Sequence, residues 1–229
     1  PRAALPGGPL MDELLGPHGL EVAAAIGRAA ATLPASSVGA AVAGVAAEDD
    51  DTLARTDHYV RSITALLPDV SDRLRALVAR LEHLEAACAP PRRLPIHGGL
   101  HSSQWLRCGG PPPRPFDRLA TGQARGGQGP DQRLGLVDFD RLSLGDPELD
   151  VATFVTELRY EGSAAVPAAQ LCRAFTDAYA QTVPLDPRRV ELYVAHKEVS
   201  KLMRLARQPR PDAPHRFARA LERLEQANP

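Results

Sequence analysis

Apolar positions recur at helical spacing through most of the chain and take an extended pattern only in its middle. Between residues 20 and 33, Val22, Ala23, Ile26, Ala29, Ala30 and Leu33 fall three and four apart, which predicts one helix face. A second helix is expected over 52–66, before Pro68. Ser71 is placed to cap a third that runs through His83, striped by Leu74, Leu77, Val78, Leu81 and Leu84 with arginines and Glu82 opposite. Near the end, Leu171, Cys172, Phe175 and Tyr179 stripe one helix. Leu192, Ala195, Val199, Leu202, Met203 and Ala206 stripe the next, and Phe217, Leu221 and Leu224 the last. Asp146-Pro147-Glu148 is a helix start: a capping carboxylate, proline at the first position, and acid near the positive end of the dipole.

The run APPRRLP ends the helical pattern, because a residue before proline leaves the α region. Strand-like pieces follow at 94–97, 104–107 and 133–138. Between the last two lies GGPPPRPFDRLATGQARGGQGPDQ, so a long flexible hairpin loop is expected over 107–132, with a proline-rich ligand for a partner's aromatic groove as the alternative. The opening PRAALPGGPLMDELLGP reads as a connector over 1–17 ending in one apolar turn. Residues 34–51 are alanine-rich, broken by Gly39 and Gly44, and only weakly helical; their acidic end at 48–51 reads as a solvated turn, or else a cation site for substrate. The expected fold class is α+β, mainly α, with a small β hairpin set in a helical domain over 18–229.

Composition narrows the partners. With 229 residues, 44% hydrophobic, 24% charged and a formal net charge of −1, the chain has no basic field for nucleic acid and no polybasic tract for a membrane surface. No apolar run approaches a membrane span. Cys88, Cys108 and Cys172 are scattered, which fits a reducing, cytoplasmic compartment. The chain begins at Pro1, as a processed, trimmed or incomplete product would. Arginine supplies nearly all the positive charge, and the only lysines, Lys197 and Lys201, lie on a late helix and are expected to be solvated.

The chemistry sits in two linked segments, HGGLHSSQWL from His97 and LVDFDRLSLGDPELDVA from Leu136. Together they resemble the core of the aminoglycoside phosphotransferase and choline kinase family, whose pattern is H-G-D-x-x-x-x-N, a strand ending in aspartate, and a G-D-P-x-x-D helix start. The resemblance implies the large C-terminal lobe of a protein-kinase-like fold. It implies transfer of the γ-phosphoryl group of ATP, with magnesium, to a hydroxyl of a small acceptor. By this likeness His97 structures the loop, and Gln104 and Asp138 bind magnesium and the nucleotide phosphates. Asp146 and Asp150 brace the loop and the helix. The chemistry agrees: phosphoryl transfer needs positioning and charge neutralisation more than covalent help, and magnesium takes hard oxygen ligands. Asp140 ranks as a second ligand only if the strand continues through it.

Two departures bear on function. Gly99 stands where the family has its catalytic aspartate, and losing a positioned base costs roughly 10²–10⁴ in rate. His101 is the nearest substitute. The family's small lobe, with a lysine gripping the phosphates, has no counterpart in these residues, so a separate or upstream small lobe is an expected partner. Other readings stay beside these. HGG can be a plain tight turn, Asp146 a helix cap and nothing more, and Trp105 a core residue. His97, His101 and Asp138 could ligate zinc, although Gly98-Gly99 and Pro95 argue against the helix that a four-residue His spacing needs. The chain is thus read either as an enzyme, complete or fragmentary, or as a non-catalytic pseudokinase-like binding domain.

Overall fold

A computed structural model describes residues 8–37, 52–108, 133–160, 165–209 and 211–226. The expected long loop over 107–132 lies outside them except for its first two residues, as does most of the alanine-rich stretch and its acidic end. The chain divides into two compact units, Pro1–Ala47 with Arg92–Leu185, and Glu48–Pro91 with Asp186–Pro229.

The first unit carries all the strands among the described residues. β1 (Gly8–Pro9), β3 (Trp105–Cys108) and β4 (Arg133–Leu136) form one antiparallel sheet with β3 in the centre, and β2 (Leu94–Ile96) pairs antiparallel with β5 (Ser143–Gly145) in another. Trp105 stands opposite Leu136 and Cys108 opposite Arg133, so Arg107 and Cys108 belong to a strand and not to the expected loop. All three predicted strands end sooner or start later than their apolar pattern, and each has a physical reason. His97 leaves β2 because the Asp150 carboxylate takes its N–H. Gln104 closes a 3₁₀ turn, Ser102–Gln104, before β3 begins. After β4, Asp138 turns into the left-handed region at φ 70°, ψ 55°.

Helices α1 (Met11–Leu15), α2 (Gly19–Ala30), α5 (Pro147–Tyr160) and α6 (Ala168–Ala180) complete this unit. The connector expected over 1–17 therefore contains one two-residue strand, β1, and a short helix where it is described. α2 lies close against α6 because Gly27 has no side chain: a Cβ there would stand 2.3 Å from the Phe175 carbonyl oxygen. Phe154 of α5 stacks on Phe175 of α6 with centroids 4.0 Å apart, and Ile26, Leu158 and Leu171 of these three helices are buried too. Each such side chain contributes about 1.5–3 kcal/mol on burial.

The second unit is helical among its described residues: α3 (Thr52–Leu66), α4 (Ser71–Ala87), α7 (Pro187–Arg207) and α8 (Ala213–Gln226). Its core joins the stripes that the periodicity marks, Leu74, Leu77, Leu81 and Leu84, Leu192, Val199 and Leu202, and Phe217, Leu221 and Leu224, with Val60 and Ile63 of α3. Ser71 does not cap α4. A 3₁₀ turn, Pro68–Val70, runs straight into the helix, and Ser71 already has helical angles. Arg73 on α4 clasps Glu225 on α8 through two hydrogen bonds of 2.7 and 2.6 Å. Lys201 is not solvated: it is buried, because α7 is enclosed on several sides from Leu192 to Met203. No helix among the described residues is long and apolar enough to cross a membrane.

Candidate functional site

The segment between β2 and β3 is held from below by one carboxylate. Asp150, in the first turn of α5 and nearly fully buried, accepts the His97 N–H at 2.6 Å and the Gly98 N–H at 2.9 Å through its two oxygens. Its charge lies where the helix dipole and two oriented amides both favour it. The buried His97 ring sits 5.0 Å from the Phe139 ring. Its Nε2 lies 3.0 Å from the Val137 carbonyl oxygen. A carbonyl only accepts, so Nε2 carries the hydrogen, and the ring ties this loop to the end of β4.

The two glycines of HGG differ. Gly98 has φ +77°, and a Cβ on it would meet the Arg141 carbonyl oxygen at 2.4 Å, so only glycine fits. Gly99 has an ordinary backbone. A Cβ there would touch only the Arg141 Cδ, at 3.5 Å. Glycine at 99 is therefore not a demand of the turn, although the residue itself is buried.

Two residues on, His101 is half-buried, with Nδ1 3.4 Å from a Glu157 oxygen on α5. It begins the 3₁₀ turn: its backbone carbonyl accepts the Gln104 N–H at 3.2 Å, and the Gln104 side chain takes the His101 N–H. Gln104 Oε1 accepts that N–H at 2.7 Å, and Gln104 Nε2 donates to Asp138 Oδ2 at 2.9 Å. Gln104 is buried and Asp138 is exposed. Asp138 is the only non-glycine residue with positive φ among the described residues, and such conformations persist where the surroundings over-determine them, commonly at functional sites. Asp140 sits in the 3₁₀ turn Phe139–Arg141, exposed; the strand does not continue through it, so the condition for its sharing a side with Asp138 is not met.

Asp146 and Glu148 face Arg92, which approaches Asp146 Oδ1 at 4.0 Å and donates to Glu148 Oε1 at 2.6 Å. Burial first, and then the carboxylates of Asp150 and Glu148, push the Tyr179 hydroxyl well above its usual range, so it stays protonated. Arg92, Glu148, Glu157 and Arg141 have no place in the motif reading. Glu148 is inside the quoted GDPELD, but nothing in the chain pairs Glu157 with His101 or Arg141 with Gly99 before folding.

The implied divalent cation can be set against these donors. Asp138 fits it: an exposed carboxylate with hard oxygens, one of them anchored. Gln104 does not fit as a second ligand in this arrangement, because its oxygen is held by the His101 N–H and its nitrogen faces Asp138. The zinc reading fails on geometry, since among the described residues no three His, Cys, Asp or Glu side chains gather to hold a metal.

No family model matches the sequence, and no curated protein does. Solved structures do. A choline/ethanolamine kinase family protein from Mesorhizobium loti superimposes with a TM-score of 0.60 at 16% identity, over 93% of this chain and 66% of that one. The GDP complex of a mutant aminoglycoside 2′-phosphotransferase IIIa gives 0.58 at 19% identity, over 97% and 67%. Glucosamine kinase in complex with glucosamine, ADP and inorganic phosphate gives 0.56 at 23% identity, over 92% and 52%. The chain spans between half and two thirds of the length of these relatives. It has the fold of that portion of a kinase-like small-molecule phosphotransferase, mainly helical with small antiparallel sheets.

Proposed function

We propose that this chain is the large-lobe part of an ATP-dependent phosphotransferase acting on a hydroxyl of a small polar acceptor, and that alone it turns over barely or not at all. The observation that carries the reading is the meeting of Gln104 and Asp138 beside a loop whose amides Asp150 holds. Phosphoryl transfer asks a protein mainly to fix groups and place charge, and this cluster is over-determined for that purpose. Asp138 is the residue to hold magnesium, which when bound neutralises phosphate oxygens. Glucosamine with ADP in one similar structure and GDP in another support a small polyol acceptor and a purine nucleotide donor.

Gly99 favours a second reading, a non-catalytic domain that binds nucleotide or a partner. The acceptor hydroxyl meets no side chain at 99, and the lysines, 197 and 201, both lie on α7 in the other unit. The phosphate grip would come from a small lobe, upstream or on another chain. The test is ADP release by this chain over a panel of sugars, amino alcohols and aminoglycosides, with and without a family small lobe. Trace turnover by the chain alone is expected; turnover at about 1–100 per second would overturn it.

A further inference from the structure

Gln104 spans three groups at once. Its side-chain oxygen takes the His101 N–H, its side-chain nitrogen donates to Asp138, and its backbone oxygen accepts the Val137 N–H at 3.2 Å. The amide cannot be turned over without loss. Reversed, its NH₂ would face another donor, the His101 N–H, while its oxygen would face the Asp138 carboxylate, an acceptor. Both contacts would fail together. The length of the side chain matters equally. Glutamine is a capping-box residue because it reaches back one turn, and asparagine, one methylene shorter, does not cover the distance to both neighbours.

We propose that Gln104 is a positioning residue, which fixes the exposed Asp138 carboxylate against the turn that follows His101, and that it is not a ligand of the divalent cation. This rests on the reading of Asp138 as the metal-side carboxylate. It leaves one side chain, Asp138, on the protein's side of the cation. It also accounts for glutamine at 104: the residue joins the loop after β2 to the turn after β4, and holds Asp138 in its left-handed backbone.

The experiment uses the ¹³C,¹⁵N-labelled chain, with magnesium chloride as the only added probe. The His101 amide is expected to exchange slowly, to lose protection about 10-fold or more in Gln104→Leu, and to keep it in Gln104→Glu, which retains the oxygen and loses the donor. The Asp138 Cγ signal should move in both variants. Added Mg²⁺ should shift Asp138 Cγ and leave Gln104 Cδ in place. A Mg²⁺-dependent shift of Gln104 Cδ with loss of His101 protection would overturn the inference, and so would unchanged His101 exchange in Gln104→Leu. If Mg²⁺ moves neither carbon, the metal reading of Asp138 fails by itself, while the exchange and Cγ comparisons still decide the role of Gln104. Gln104→Asn serves as a milder variant, expected to lose one of the two contacts.

Discussion

A Cβ on Gly99 would lie 3.5 Å from the Arg141 Cδ and touch nothing else, whereas one on the preceding Gly98 would lie 2.4 Å from the Arg141 carbonyl oxygen. Neighbouring glycines thus face one residue with opposite tolerance. Gly99→Ala, whose Cβ would make only an ordinary 3.5 Å contact, should cost less stability than Gly98→Ala. Gly98→Ala, forced to φ +77°, should cost about 1–3 kcal/mol for the backbone alone and more for the contact. Urea unfolding of the two variants checks the contrast; equal losses would contradict the geometry.

Because a Cβ at 99 meets no backbone, the catalytic effect of a side chain there can be measured against the stability of Gly99→Ala. Gly99→Asp should raise phosphoryl transfer by roughly 10²–10⁴, and only when a small lobe is supplied. A rise in the isolated chain would mean that these residues already grip the phosphates.

Asp150 accepts two backbone N–H groups from the loop while nearly fully buried. Asp150→Ala should cost about 3 kcal/mol or more, since bonds to a charged acceptor are worth about 1.5–3 each. It should also speed amide exchange at His97 and Gly98 before it affects α7 or α8. Asp150→Asn, which keeps one acceptor oxygen, should fall between.

The Arg73 guanidinium, bonded to Glu225, holds that carboxyl below its ordinary value of 4.5. A carboxyl whose folded pKa is depressed stabilises above the unfolded value and loses that contribution as pH falls through the folded one. Both side chains are partly exposed, 42% and 31%, so the effect is at most about 1 kcal/mol. Glu225→Gln should therefore shrink the stability difference between pH 7 and pH 3 by that amount or less. The same sign holds for Glu13, lowered chiefly by its hydrogen bond to Arg107. Raising the salt concentration should weaken both.

Much of this molecule is readable along the chain. The stripes ending in Leu84, Met203 and Leu224 are the core of the helical unit, because a 3.6-residue period buries one face whatever it packs on. Asp146-Pro147 starts α5 as local backbone chemistry dictates. The strand ends are less legible: His97, Gln104 and Asp138 have strand-like neighbours, but each gives its hydrogen bonds or its backbone angles to a partner distant in sequence. Lys201 looks solvated by residue type, and only the enclosure of α7 buries it.

Sequence by itself determined the helices, the α+β class and the two linked motifs, since these depend on periodicity and on contacts a few residues apart. Tertiary structure alone decided that Gly98 is obligatory while Gly99 is not, that His101 meets Glu157, and that the Gln104 side-chain nitrogen meets Asp138. Those outcomes depend on groups brought together across 34 to 56 positions, as in Gln104 with Asp138 and Arg92 with Glu148. Directional bonding between such groups, unlike apolar burial, leaves no period in the chain.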